Sequence, residues 1–371
     1  MHLILVGGFL GAGKTTLLYH AAQHLAAAGH TVGLITNDQA PDLVDTALLT
    51  HTGAQVREVP GSCFCCNFNG LMAAVDSLRA AGATHIVAEP VGSCTDLAST
   101  IVRPIRQLHA EINVAPLTVL VDPQRVRDVL LREDPLLHPD AIYILDLQLR
   151  EADRILLSKA DTLREEETAA FLGYLREHYP HAPVEALSLK TEGNSLATWL
   201  EAVLSAPKSP PGAQQIPVDY DRYAHGEAVL GWLNAKYTLR WIQGLQADWP
   251  HFVRHFLTVL HDNLRETDAE IGHIKLHLQT APDPAGNSQI LTANLTGLHH
   301  PYEVHEWART AEATPRLHAT LTVNGRAQMS PELLESALAG ALDTATYDRV
   351  AATPVAHHAL VPGRPTPTHR L

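Results

Sequence analysis

The stretch HLILVGGFLGAGKTT, His2 to Thr16, constrains this chain more than any other. An apolar run of strand type passes directly into Gly8-Phe9-Leu10-Gly11-Ala12-Gly13-Lys14-Thr15, which satisfies GxxxxGK[ST], and a helical pattern opens behind it over Thr15 to Ala28. Strand, glycine-rich turn and helix in that order aim backbone N–H groups at phosphate oxygens from the positive end of a helix. The glycines permit the tight turn, Lys14 neutralises the β and γ phosphates, and the Thr15 hydroxyl is available to Mg2+. The expected phosphate-binding set is Gly8, Gly11, Ala12, Gly13, Lys14, Thr15 and Thr16. A glycine-rich turn without a ligand is the competing reading, and the agreement of motif, lysine, hydroxyl and flanking elements goes against it.

Short apolar runs then alternate with helical patterns: HTVGLITN, QVREVP, THIVAEP, LTVLVDP, RILLSKA and VEALSLK follow the first strand. That alternation predicts an α/β fold, a P-loop NTPase domain whose mostly parallel sheet is flanked by helices, with ligands at the carboxyl ends of the strands. We expect this domain over residues 1–205 and a proline-rich linker, APKSPPGAQQIP, over 206–217. Residues 218–350 read as a smaller C-terminal α+β domain. Its expected elements are strands at 228–240, 273–279, 289–295 and 317–323, and helices at 249–265, 305–313 and 331–342, a ferredoxin-like βαββαβ order with a final helix. Residues 351–371, rich in proline, read as a flexible tail.

With 371 residues the chain can bury its cores without staples, and four cysteines, three of them almost adjacent, are not a disulfide framework. A reducing, cytoplasmic setting is expected. The N-terminal apolar run lacks the features of a signal peptide, and no segment is long enough to span a bilayer. A net charge of -13, from 27 Lys+Arg against 40 Asp+Glu, argues against nucleic acid and anionic membranes as partners. The 23 histidines are mostly scattered singly.

Four further stretches narrow the nucleotide and its use. Glu89 closes the strand THIVAEP, where its carboxylate can hold Mg2+ or orient an attacking water. Ser158-Lys159-Ala160-Asp161 follows another apolar strand and looks like the guanine signature [NST]KxD. In that signature the Asp carboxylate accepts from guanine's two N–H donors and the Lys stem lies over the ring; adenine offers no matching donors. Ser188, opening Ser-Leu-Lys-Thr-Glu-Gly, resembles the loop that touches the guanine carbonyl in the same enzymes. Asp38, after the second strand, could reach Mg2+ or the attacking water from a switch segment, or be no more than a polar turn or helix cap. The expected catalytic set is Lys14, Glu89 and Asp38, with Thr15 and Glu89 on magnesium.

The remaining stretch is GSCFCCNF, Gly61 to Phe68, between a strand and a helix. Adjacent cysteines form a disulfide only with strain, a redox pair favours CxxC, and a permanent zinc clip usually shows two separated pairs. Three thiols at the start of a helix, where thiolate is favoured, suit a site that takes and releases Zn2+, Co2+ or Cu(I) rather than Mg2+. Cys63, Cys65 and Cys66 are the expected ligands, provided the backbone turns at Cys65-Cys66. Cys94, in VGSCTD, is either an extra ligand or, the better reading, a small buried or loop cysteine.

Together, GGFLGAGKTTLL, GSCFCCNF, VAEPVG, VLVDPQRV and QLREADRILLSKAD resemble, in order and spacing, the CobW-like branch of the SIMIBI-class GTPases over about the first 200 residues. The resemblance implies slow GTP hydrolysis coupled to delivery of Zn2+, Co2+ or a related metal to a client metalloprotein, a C-terminal domain that meets clients, and homodimers. This chain departs from the pattern at Ser158, where the family has Asn, at Asn37-Asp38-Gln39-Ala40-Pro41, where the family has Asn-Glu-x-x-Glu, and in lacking a long His-rich loop. A GTPase that activates a metalloenzyme around structural zinc is the alternative; a P-loop small-molecule kinase fits less well, because the SKAD segment selects guanine.

Overall fold

Strand β1 (His2–Gly8) is apolar at nearly every position and buried from Leu3 onward, the pattern of a strand covered on both faces. In the computed structural model, which describes residues 1–38, 44–190, 194–206, 215–244, 247–267, 269–283, 286–300, 302–308 and 316–371, it lies inside an eight-stranded sheet. The other strands are β2 (Val32–Asn37), β3 (Gln55–Val59), β4 (His85–Ala88), β5 (Asn113–Val114), β6 (Thr118–Val121), β7 (Arg154–Leu157) and β8 (Val184–Ala186). Their order is β3-β2-β4-β1-β6-β7-β8, with the short β5 beside β1, and every pairing is parallel. Parallel strands need crossovers, and the helices Lys14–Ala27, Phe68–Ala80, Pro139–Glu151 and Glu165–His178 are among those that supply them.

Helix Lys14–Ala27 turns Leu17, Leu18, Ala21, Ala22 and Leu25 toward Ile4, Val6 and Leu34 of the sheet and Trp199 of helix Ser195–Leu204. Each fully buried leucine there contributes about 1.5–3 kcal/mol. Because the strands run the same way, register alone sets their carboxyl ends in a row. Leu5 pairs Ala88, Ile35 pairs Ala88, Asn37 pairs Val59, Val121 pairs Leu157 and Leu157 pairs Ala186. The phosphate loop, Glu89, the cysteine loop, Ser158 and Ser188 all follow those ends.

The chain forms two compact units, Met1–Pro41 with Leu48–Glu227 and Gly363–Leu371, and Asp42–Ala47 with Ala228–Pro362. The division falls after Glu227 rather than within 206–217, and residues 207–214 of the expected linker lie outside the described residues. The reason is helix Tyr220–Ala228, which buries Tyr223 and Glu227 in the first unit. Its Gly226 permits this packing: a Cβ there would sit 2.2 Å from the Asp140 carbonyl oxygen.

The second unit is a six-stranded antiparallel sheet of β9 (Gly231–Trp241), β10 (Ile271–Thr280), β11 (Ile290–Leu295), β12 (Glu303–Ala308), β13 (His318–Ala327) and β14 (Val350–Leu360), in the order β12-β11-β10-β13-β9-β14. Helix Trp249–Glu266 presents Phe252, Val253, Phe256, Leu257, Leu260 and Leu264, one apolar face, to the core it shares with helix Pro331–Thr346. The order β10-β13-β9-β14 is that of a split βαβ sandwich, but its strands are not the expected four: β14 takes a place given to 289–295, which is instead β11 of an added hairpin β11–β12.

Two expectations need correction here. The helix expected at 305–313 is strand β12 through Ala308, because pairing with β11 outweighs local pattern; residues 309–313 lie outside the described residues. The expected flexible tail 351–371 is ordered: its first part is β14, the fourth strand of the sandwich, paired along β9. Pro354 is tolerated there because it lies on an edge strand next to a register shift.

Candidate functional site

The phosphate loop has the expected backbone. Gly8, Gly11 and Gly13 have φ of 134°, 82° and 89°, and a Cβ on Gly8 would lie 2.5 Å from the Leu120 carbonyl oxygen. Lys14 and Thr15 open the helix, each 9% exposed, with Ala12 buried and Thr16 half-buried beside them. Lys14 Nζ donates to the carbonyls of Gly8 at 2.8 Å and Phe9 at 3.4 Å, which holds the ammonium inside the loop. The Thr15 hydroxyl lies 3.1 and 3.0 Å from the two carboxylate oxygens of Glu89, a residue 3% exposed. A hydroxyl and a carboxylate at a positive helix end form an all-oxygen donor pair that fits Mg2+, with water and phosphate completing six ligands.

Three loops from β6, β7 and β8 bring together the residues expected at guanine. Lys159 has φ 50°, and its Nζ donates to Asp122 Oδ2 at 2.5 Å. Asp122, 2% exposed, is fixed in turn as a helix cap by the Gln124 N–H at 2.8 Å. Asp161 Oδ1 accepts from the Ser188 hydroxyl at 3.1 Å, so carboxylate and loop lie side by side. Ser158 is buried and donates to the Val121 carbonyl at 3.1 Å, a local anchor in place of the family's Asn. Residues 191–193 of the Ser188 loop lie outside the described residues.

The cysteine loop turns where convergence requires it: the N–H groups of Cys66 and Asn67 both donate to the Cys63 carbonyl, at 3.0 and 2.9 Å. The Sγ separations are 2.8 Å for Cys63–Cys65, 3.5 Å for Cys63–Cys66 and 3.7 Å for Cys65–Cys66, and all are free thiols. Cys63 and Cys65 are buried and Cys66 is partly exposed. The helix-end effect on acidity is outweighed. Cys65 is pushed well up by its thiol neighbours and burial, and Cys66 up to about 11, chiefly by Cys63.

Asn37, at the end of β2, clamps this loop. Its Nδ2 donates to the carbonyls of Val59 at 2.7 Å and Ser62 at 2.8 Å, and its Oδ1 accepts from the Phe64 N–H at 2.9 Å. The segment Gly363–Leu371 crosses the loop's outer side. There the Thr366 N–H donates to Cys66 Sγ at 3.2 Å, the Thr368 N–H to the Cys65 carbonyl at 2.8 Å, and Arg370 to Asp96 at 2.7 Å.

A short loop joins the two centres. It starts at Glu89, beside Thr15, and reaches Cys94, whose fully buried Sγ is 3.9 Å from Cys65 Sγ. Gln148 Nε2 holds it by donating to the carbonyls of Gly92 at 3.0 Å and Cys94 at 2.8 Å. Glu151 accepts from the Thr95 hydroxyl at 3.0 Å and the Ala98 N–H at 2.9 Å, and its burial pushes its carboxyl up to about 8. Glu227, fully buried, accepts from Ser93 Oγ at 2.5 Å; burial and the nearby Cys63 push its carboxyl well above the ordinary range. Asp38, half-buried, contributes to that rise; Gln39, Ala40 and Pro41 lie outside the described residues.

Sequence reasoning missed Asn37, Asp122, Gln148 and Glu227 as parts of the site. Asp122 and Gln148 stand in motifs quoted for the resemblance, and Asn37 ends a strand, so position was a usable signal for those three. Nothing local distinguishes Glu227 from a solvated helix carboxylate.

Residues 2–185 match the family described as CobW/HypB/UreG, nucleotide-binding domain. Among curated proteins, the chain is 27% identical over 210 residues to the zinc chaperone YeiR of Escherichia coli, covering 52% of this chain and 59% of that protein. It is 32% identical over 172 residues to the zinc chaperone YjiA of the same organism, covering 44% and 50%. The chain thus spans about half the length of these relatives. HypB from Helicobacter pylori in complex with nickel aligns in structure at 18% identity and TM-score 0.39, over 54% of this chain and 85% of that one.

Proposed function

Since the chain belongs to the CobW/HypB/UreG family through the nucleotide-binding domain at residues 2–185, we propose that it is a GTP-hydrolysing metallochaperone. It binds Zn2+ or Co2+ as cargo at Cys63, Cys65 and Cys66 and passes the ion to a client metalloprotein. In this reading Lys14 and the loop N–H groups hold the phosphates, Thr15 and Glu89 hold Mg2+, and Asp161 with Ser188 selects guanine. Glu89 or Asp38 orients the attacking water. Bound Mg2+ supplies charge neutralisation at the β and γ phosphates.

The observation that carries the reading is the loop from Glu89 to Cys94, which touches Thr15 at one end and Cys65 at the other. A change in what Thr15 and Glu89 hold is therefore felt within one turn of the thiols. The two relatives named as zinc chaperones support zinc as cargo. The test is metal affinity of the full chain with a GTP analogue and with GDP, across Zn2+, Co2+ and Ni2+. Equal affinity in both states sinks the coupling. Cys65→Ser should weaken metal binding while nucleotide affinity stays near normal.

The burial of Cys63, Cys65 and Cys94 favours a second reading, in which zinc is structural and the GTPase activates a metalloenzyme. Stoichiometric zinc that resists mild chelation in every nucleotide state would support it.

A further inference from the structure

Three thiols leave a tetrahedral ion one ligand short. We propose that Cys94 is the fourth ligand, so that Cys63, Cys65, Cys66 and Cys94 form a four-thiolate cage for Zn2+ or Co2+. This rests on the reading of the cysteine loop as a metal site and names the residue that closes it.

Geometry carries the assignment. Zn–S bonds of about 2.3 Å put the sulfurs of a tetrahedral site about 3.8 Å apart. Cys65 Sγ lies 3.7 Å from Cys66 and 3.9 Å from Cys94, both close to that edge length. Cys63–Cys66 at 3.5 Å is near it, Cys63–Cys65 at 2.8 Å must open by about 1 Å, and Cys94 must close on the others, since Cys63, Cys65 and Cys66 alone lie within 4.8 Å of one another. Cys65 is thus the hub of a cluster whose fourth corner comes from a separate strand end.

Cys94 is also held for that role. Its N–H donates to the Val91 carbonyl at 2.9 Å and its carbonyl accepts from Gln148, so the loop presents the side chain inward without freedom to swing out. A further buried group points the same way. Glu227 accepts from Ser93, the neighbour of Cys94, through Oε1, while its Oε2 is buried with no hydrogen-bond partner among the described residues. A buried polar oxygen left unpaired beside the Cys94 loop is costly in an apolar pocket and is compensated where a cation lies near it. The competing reading, a cysteine that merely fills space, predicts that alanine at position 94 leaves metal binding untouched.

Cys94 also differs from the other three in where it is anchored. It stands five residues after Glu89, so it is the ligand placed to follow the nucleotide site, while Cys63, Cys65 and Cys66 are fixed through Asn37.

The experiment is a Co2+ titration of the full chain, of Cys94→Ala, of Cys66→Ser and of Glu227→Gln, read in the thiolate-to-cobalt charge-transfer band. The unmodified chain should show four thiolates, and Cys94→Ala and Cys66→Ser should each lose about a quarter of the intensity and bind Co2+ at least about tenfold more weakly. A three-thiolate spectrum in the Cys94→Ala chain is itself evidence that it has folded. Full intensity and affinity in Cys94→Ala, or a loss confined to Glu227→Gln, overturns the assignment while leaving the metal-site reading in place. Failure of the unmodified chain to bind Co2+ or Zn2+ overturns both.

Discussion

Replacing Asn37 with alanine should loosen the cysteine loop without touching a cysteine. The side chain is 6% exposed and makes three hydrogen bonds, to the carbonyls of Val59 and Ser62 and from the Phe64 N–H. Each bond contributes about 1 kcal/mol net, and a buried group left unpaired costs about 1–3 kcal/mol, so the loss is about 3 kcal/mol. A domain stable by about 5–15 kcal/mol survives that. Partners that orient metal ligands typically change affinity about 10–100-fold when removed, so Zn2+ affinity should fall within that range. Asn37→Asp should be worse: it keeps the acceptor for Phe64 but points a carboxylate at two carbonyls. The assay pairs urea unfolding with chelator competition for Zn2+. If Asn37→Ala shifts stability by less than about 0.5 kcal/mol and leaves affinity unchanged, the loop is not preorganised by this clamp and the reasoning fails.

Asp161→Asn trades an acceptor for a donor at the proposed guanine edge, and at about 1.5–3 kcal/mol for a charged hydrogen bond GDP affinity should drop roughly 10–100-fold in a fluorescence titration. An unchanged constant would remove Asp161 from base recognition. His85 stacks on His2 at 5.0 Å and lies 4.2 Å from His30, and burial first, then those two rings, depresses its pKa to about 4. A base with a depressed folded pKa favours the folded state above its ordinary value of 6.5, so stability should decline as pH falls from about 6.5 to 4. Urea midpoints across that window should flatten in His85→Gln, and an equally steep decline there would place the acid sensitivity elsewhere. Ending the chain after Pro362 removes the segment that donates to Cys66 Sγ and the Cys65 carbonyl, so a thiol reagent should label Cys66 faster; an unchanged rate would mean that the segment does not shield it.

The first unit was legible because its information is local. Apolar runs ending in Gly8, Asn37, Ala88 and Leu157 fixed strand type, and parallel direction then put every motif on one edge of the sheet. The second unit was less legible because its assignments depend on pairing. Residues 305–308 read as helix until β11 lies beside them, and 351–360 read as a tail because proline signals a break except on an edge strand such as β14, where Pro354 lies. Thiol acidity failed for a related reason. The helix end was visible in sequence, but the neighbouring sulfurs that outweigh it were not.

The same contrast explains why the residues that join the two centres were harder to find than the centres themselves. A phosphate loop must be contiguous, since adjacent N–H groups make the cradle. A coupling element need only connect. In the proposed coupling it is Glu89 to Cys94, and its contacts, Thr15 on Glu89, Gln148 on Gly92 and Cys94, and Glu227 on Ser93, are scattered across the first unit. Five extended residues reach at most about 17 Å, so the Thr15–Glu89 pair and the thiol cluster are close enough to share one short segment. The two bonds from Gln148 bear on how that segment moves: a loop pinned at both Gly92 and Cys94 shifts as a body rather than bending between them. For nucleotide state to set metal affinity as proposed, a displacement at Glu89 has to reach Cys94 Sγ through this pinned stretch.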